Sequence, residues 1–384
     1  MLPFVGRQVS KYISSLTAAR RIITRLNLMN KLRWGILSTA GIARKNWRAI
    51  RDSGNSVVTA VASRDAARSR IFIEDCQRQA PADAAPAALE GYEALIASQD
   101  VDAVYIPLPT GLRREWVLRA AAAGKHVLCE KPCALSLADL REMTAACQKN
   151  RVQFMDGVMF MHNPRLRRLR EILDDGKTIG PIRRIMSVFS FGTDETFFDA
   201  NIRVHAALEP TGCLGDVGWY CLRFALWAMN WRLPRQVTGR ILSARSNRLS
   251  PSSTPTDFSG ELIFADGPSL GYYCSFRAQY QNWVHLGGAN GWLRLADFVH
   301  PASVHEPAFE VNGAVEKVKI CDCSAHHTDS LAPAQDSRMF RNFVQQVATG
   351  NLNDEWPMWS LKTQQVMDAC YESALHDGRP ILLD

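Results

Sequence analysis

No uninterrupted apolar run in this 384-residue chain approaches the ~18–20 residues that a membrane-spanning helix requires, so no membrane partner is expected. Acidic residues are missing from the first 30 positions, which carry Arg7, Lys11, Arg20, Arg21 and Arg25 alone. The formal net charge of +7 is therefore mostly a property of that segment, since the rest holds 40 basic and 38 acidic side chains. A nearly neutral body gives no basic groove for phosphodiester backbones, which argues against a nucleic-acid partner. Regular cysteine spacing is also missing: the ten cysteines fall irregularly, as expected of reduced thiols in a cytoplasmic protein rather than of a disulfide framework. The nearest thing to a metal cluster, Cys321-Asp322-Cys323 before His326-His327, fits neither usual zinc-ligand spacing, so no metal is expected.

Residues 1–30 lack both the apolar stretch and the small-residue cleavage site of a secretory signal. They read as a dispensable extension or a misassigned start, because Met29 runs almost directly into the first β-rich segment.

Beyond residue 30, short β-rich runs alternate with helical stretches. Residues 32–37, 57–62, 103–107 and 126–129 read as strands, with helices between them, for example from Gly41 to about Ser53 and over 112–123. This alternation predicts a parallel sheet with right-handed crossovers over 31–154. From 155 to 384 the runs lengthen. Strands are expected over 183–192, 235–246, 258–265, 269–280 and 291–298, and helices over 164–175, 216–229 and 358–377. The fold class is thus α/β: an N-terminal Rossmann sheet followed by an α+β domain with a large, mainly antiparallel open sheet. The Pro- and Ser-rich residues 250–256 read as a surface loop.

A full Gly-x-Gly-x-x-Gly fingerprint is lacking after the first strand. Ser38, Ala40 and Ala43 stand at its positions, with Gly41 beside them. Small residues still let a pyrophosphate approach the backbone and the helix N-terminus. Ser38 and Thr39 add hydroxyl groups. At the end of the second strand, where an NAD site usually places a carboxylate for the ribose 2′-hydroxyl, the chain has Ser63-Arg64. A guanidinium there suits a 2′-phosphate, so NADP is favoured; Asp65 is the residue that would serve NAD.

Asp102-Ala-Val-Tyr-Ile-Pro-Leu-Pro109, Ala123-Gly-Lys-His-Val-Leu-Cys-Glu-Lys-Pro132, and Asn201-Ile-Arg203 with Gly212-Cys-Leu-Gly-Asp216-Val-Gly-Trp-Tyr220 together resemble the glucose–fructose oxidoreductase/inositol dehydrogenase (Gfo/Idh/MocA) family. Tyr220 is similar to the branch containing dimeric dihydrodiol dehydrogenase and D-xylose dehydrogenase. The resemblance implies hydride transfer between NADP(H) and a sugar, sugar derivative or cyclic diol. It implies Tyr220 as acid/base and Lys131 as its catalytic partner, the ammonium lowering the phenol's pKa. Asp216, Asp156, Arg203 and His162 are the implied substrate-binding residues. The cofactor is expected along Ser38, Thr39, Ala40, Gly41 and Ile42, then Ser63 and Arg64. It continues past Pro107, Leu108, Thr110 and Arg113 to Glu130 and Lys131. A homodimer or homotetramer built on the second sheet is expected, with the last helix packing back on the first domain. The alternative is an inert dinucleotide-binding regulator of the same fold. Thr110, Arg113 and Met161 depart from the family pattern, which leaves the substrate open.

Overall fold

The computed structural model describes residues 31–82, 84–303, 305–319 and 334–383. The N-terminal extension and the Cys321–His327 cluster fall outside these residues. Among the described residues no helix is long and apolar enough to cross a membrane, and no three His, Cys, Asp or Glu side chains are grouped to hold a metal ion.

The first sheet has six parallel strands: β1 (Leu32–Leu37), β2 (Ser56–Ser63), β3 (Ala87–Glu90), β4 (Ala103–Ile106), β5 (His126–Cys129) and β6 (Phe154–Asp156). Their order is β3-β2-β1-β4-β5-β6. Helices α1 (Gly41–Asp52), α2 (Ala66–Gln79), α3 (Tyr92–Ala97), α4 (Thr110–Ala122) and α5 (Leu137–Lys149) connect them. Burial on both faces explains why β4 reads as a continuous apolar run, Ala-Val-Tyr-Ile, with every residue buried. The order reverses between β1 and β4. The loops after these two strands therefore part and open a crevice at their carboxyl ends.

The second sheet has nine strands: β7 (Ile182–Ser190), β8 (Gln236–Asn247), β9 (Ser250–Ile263), β10 (Ser269–Ser275), β11 (Gln281–Gly288), β12 (Trp292–Leu295), β13 (Ala308–Val311), β14 (Ala314–Lys317) and β15 (Ile381–Leu382). Only the β7–β10 pair is parallel; the other neighbours are antiparallel. Helices α6 (Arg165–Asp174), α7 (Glu195–Ala200), α8 (Trp219–Ala228), α9 (Ala334–Ala348) and α10 (Glu355–Leu375) complete this half. Every residue of α8 is buried. The last helix, α10, lies against β8 and α8 and also reaches α5 and β6, while α9 packs on α1. Both carboxy-terminal helices thus tie the second half of the chain to the first sheet.

Two expectations are corrected here. Residues 250–256 are not a surface loop but the first half of β9. Thr254 and Thr256 are fully buried there, and Pro255 pairs with Ala244 where the β8–β9 register shifts. An irregular register is where a strand tolerates proline. The expected strand over 269–280 stops early, at Ser275, because the chain turns there: the Ser275 hydroxyl accepts from the Arg277 and Ala278 amides, and a separate strand with no counterpart in the expectation, β11, begins at Gln281.

Candidate active site

A cleft of about 590 Å³ lies between the carboxyl ends of β1 and β4 and the inner face of the second sheet. On the first side it is lined by Ala40, Gly41 and Ile42 at the start of α1, by Pro107, Leu108 and Arg113, and by Glu130 and Lys131 after β5. Arg203, Asp216 and Tyr220 face them from the second half.

The local sequence explains the turn into α1. Ser38 adopts φ +119°, a glycine-like conformation at the fingerprint's first glycine position. Its hydroxyl accepts the Ala40 amide at 3.2 Å, which helps hold that conformation. The N-terminus of α1 has no side-chain cap and no acid in its first turn. A Cβ added at Gly41 would meet nothing within 4 Å, so the turn opens onto free space. At the end of β2, Ser63 is buried and its hydroxyl donates to the Asp65 carbonyl at 2.5 Å. Asp65 caps α2 by accepting the Ala67 amide. Arg64 is exposed and forms no ion pair among the described residues.

Glycine decides the approach to Tyr220. Gly212 has φ +47°, and a Cβ there would fall 2.2 Å from the Pro255 carbonyl oxygen. A Cβ on Gly215 would fall 2.2 Å from Thr211 Oγ1. The chain then makes a single π-helical turn, Leu214–Gly218, before α8. That turn brings Asp216 and Tyr220 to the cleft together.

Asp216 is the electrostatic centre. Lys131 Nζ donates to its Oδ1 and to its backbone carbonyl, both at 2.6 Å. Arg203 Nε donates to Oδ2 at 2.8 Å. These two cations overcome the effect of burial and hold the carboxyl at about 2. The resemblance implies Asp216 as a residue that orients the substrate by accepting its hydroxyl hydrogen bonds. Instead both oxygens carry cations, and its evident work is to fix Lys131 and Arg203. Two of the three Lys131 N–H donors are used, leaving one for a substrate oxygen.

The Lys131 ammonium sits 4.8 Å from the centroid of the Tyr220 ring. The expectation that it lowers the phenol's pKa is corrected: the pKa is raised well above its usual value. Burial is the main cause, followed by the carboxylates of Glu130, Asp216 and Asp336. Tyr220 is therefore a neutral phenol near pH 7, and among the described residues its hydroxyl has a weak contact to Met159 Sδ at 3.8 Å.

Several expected site residues are employed elsewhere. Asp156 is buried against Arg223, which also donates to Thr363 Oγ1 at 2.7 Å; Asp156 holds α8 rather than substrate. Arg113 is buried and donates to the Leu108 carbonyl at 2.7 Å and to the Pro132 carbonyl, so it braces the loops instead of offering a free charge. Thr110 gives its amide and hydroxyl to Glu209, at 2.8 and 2.7 Å. Glu130, at the cleft floor, accepts from Tyr105 Oη at 2.7 Å and from Asn46 Nδ2 at 3.3 Å, so one of its oxygens is already engaged.

His162 lies outside the cleft lining, between Trp356 and Asn342, whose amide donates to Nδ1 at 3.0 Å. Burial, then the Arg223 charge, pushes its pKa down to about 4. Below the ordinary histidine pKa of ~6.5, the unfolded chain binds a proton that folded His162 refuses, so folding stability falls as pH drops from about 6.5 towards 4. The urea midpoint of the wild type is expected to decline across that window. His162→Gln is expected to decline less steeply; parallel curves would contradict this account.

Lys45, Asn46, His300, Tyr280 and Asp336 also line the cleft and had no sequence signal. Lys45 pairs with Asp336 at 2.8 Å across α1 and α9. A basic residue one turn into a helix is unremarkable until its partner, nearly 300 positions away, is known.

Comparison with known proteins gives a consistent result. Residues 32–158 match "Oxidoreductase family, NAD-binding Rossmann fold", and residues 166–294 match "GFO/IDH/MocA C-terminal domain". The chain is 31% identical to the trans-1,2-dihydrobenzene-1,2-diol dehydrogenase of Bos taurus over 273 residues, 69% of this chain and 74% of that one. It is 29% identical to a D-xylose 1-dehydrogenase (NADP(+)) of Haloferax volcanii over 354 residues, 91% of this chain and 99% of that one. Among solved structures, a 3-ketoreductase from Actinomadura kijaniata in complex with NADP and TDP-benzene superposes with a TM-score of 0.75 at 27% identity, covering 90% of this chain and 98% of that one.

Proposed function

Since the chain belongs to the Gfo/Idh/MocA family of oxidoreductases, we propose that it is an NADP(H)-dependent oxidoreductase acting on a sugar, sugar derivative or cyclic diol, with Tyr220 as acid/base. The observation that carries this reading is the convergence of Lys131, Asp216 and Tyr220 on one cleft beside an uncapped helix N-terminus.

The residues present fit the dinucleotide. The glycine-like Ser38 turn, the open space at Gly41 and the free amides of α1 suit a pyrophosphate. Exposed Arg64 suits a 2′-phosphate. When bound, the nicotinamide gives or takes the hydride. In the reductive direction Tyr220 donates its phenolic proton to the carbonyl oxygen as that oxygen gains negative charge. The remaining Lys131 N–H stabilises the same oxygen, and Asp216 keeps the ammonium aimed at it. In the oxidative direction the proton travels the other way.

Arg203 uses only Nε on Asp216, so its terminal nitrogens are free for substrate hydroxyls. Phe189, Phe191 and Ile202 supply an apolar wall. A ring with oxygens on one edge and a hydrocarbon face suits this division. The outer face of the second sheet exposes Met186 and Ile263, and we place the second copy of a dimer or tetramer there.

The test is turnover with NADP on a panel of D-xylose, D-glucose and trans-dihydrobenzenediol, and with NADPH on the carbonyl compounds that their oxidation would give. Arg64→Ala is expected to raise KM for NADPH by on the order of tenfold while changing KM for NADH less than about twofold. A wild type that prefers NADH would remove the role given to Arg64. Tight NADPH binding without oxidation by any carbonyl compound would favour the inert regulator instead.

A further inference from the structure

Tyr280, just before β11, is 55% exposed in the cleft wall, yet its hydroxyl is fixed. Asn282 Nδ2 donates to Tyr280 Oη at 2.7 Å. On its other side Oη lies 3.2 Å from His300 Nδ1. Asn282 is itself buried, and its Oδ1 accepts the Val299 amide at 3.1 Å. Its backbone carbonyl accepts the Phe298 amide at 2.9 Å. One side chain thus fastens the tyrosine and the loop that carries the histidine.

The direction of the protons follows from the chemistry of the groups. An amide NH2 only donates, so Oη accepts from Asn282 and keeps its own proton available for His300 Nδ1. In a neutral ring with Nδ1 accepting, the proton sits on Nε2. Partial desolvation in the cleft wall, then the nearby charges of Lys45 and Lys131, lower the ring's pKa, which favours the neutral form near pH 7. His300 is exposed, and Nε2 has no partner among the described residues. The ring meets Phe189 edge-on at 5.7 Å, and Phe189 in turn meets Tyr280 edge-on at 6.5 Å.

We propose that His300 Nε2–H is a specificity-determining donor to a substrate oxygen, and that Asn282 and Tyr280 are positioning residues that fix its tautomer. The matching ligand is a cyclic polyol or ring ketone that places one acceptor oxygen on His300 while its hydrocarbon face covers the Tyr280 ring. This rests on the cleft being the substrate site, as proposed above.

The experiment compares the wild type with His300→Phe, His300→Gln and Tyr280→Phe, using the best substrate of the panel and its monodeoxy analogues. NADPH affinity, read by nicotinamide fluorescence, is expected to be unchanged in all four and reports a folded cofactor site. His300→Phe is expected to raise KM about tenfold with kcat within about threefold, and His300→Gln, which keeps an N–H donor, to recover part of that loss. One deoxy analogue is expected to cost the wild type about tenfold and His300→Phe nothing further. If the Phe variant does not fold, His300→Ala, which also lacks a donor, carries the analogue comparison. Without substrate, ¹⁵N-edited NMR should find His300 protonated on Nε2 in the wild type and mixed between tautomers in Tyr280→Phe. A ring protonated on Nδ1, or equal deoxy penalties in wild type and variant, overturns the proposal and leaves the proposed activity standing. A wild type that turns over no member of the panel overturns both.

Discussion

Tyr220→Phe is expected to lower kcat/KM on the order of a thousandfold while leaving NADPH affinity unchanged. The substitution keeps the ring that packs against Phe189 and Phe160, at centroid distances of 5.4 and 6.1 Å, and the face beside Lys131. Only the hydroxyl, and with it the transferable proton, is removed. Because burial and neighbouring carboxylates hold the phenol in its neutral form, the reductive rate should be flat with pH around neutrality. The oxidative rate, which needs a proton acceptor, should climb as pH rises. Steady-state kinetics in both directions with a parallel fluorescence titration checks each part. A variant within about threefold of wild type would move the acid/base role to Lys131, the other donor facing the same space.

Arg223→Met is expected to destabilise the fold by about 3–5 kcal/mol, a fall in Tm of about 4–6 °C by calorimetry for a chain of this length. Arg223 is fully buried and Asp156 nearly so; the guanidinium grips both carboxylate oxygens and Thr363. Removing the cation strands a carboxylate in the interior. The double variant Arg223→Met/Asp156→Leu should regain most of the loss, because the solitary charge, rather than missing attraction, is the costly element. Arg223 lies one helical turn beyond Tyr220 on α8, and Asp156 ends β6. The pair therefore pins the helix that bears the candidate acid/base to the first sheet. Some activity should be lost along with stability, and a double variant that is stable but slow would separate the two effects.

The first sheet was legible because each strand is short, apolar and bounded by turn residues. β1 and β5 fall on their expected residues, whereas β3, a partly exposed four-residue strand, and β6, only three residues long, left no mark. The second sheet was less legible, since it pairs distant segments. β9 begins with Ser-Pro-Ser-Ser-Thr-Pro-Thr, a composition that signals a loop until burial against the rest of the molecule is known. Tyr220, Lys131, Asp216 and Arg203 could be placed because they sit in motifs, and the cleft gathers all four. Asp156 and Arg113 misled for a shared reason: a charged residue beside a motif reads as a binding group, and only contacts reveal that its charge is already neutralised or its donors already taken. His300 and Lys45 sit in no motif, and their pairing partners are remote in sequence.

Two helix N-termini, those of α1 and α4, open beside the crevice, and each would by itself attract an anion. They are not equivalent. The second already holds Glu209 on its first amide, and the neighbouring Gly111 amide is given to the Leu208 carbonyl at 3.0 Å. This built-in counter-charge removes the competition. Of the two, only the N-terminus of α1 is left uncompensated, so a diphosphate entering the crevice would meet one attractive pole rather than two and would be held in a single polarity.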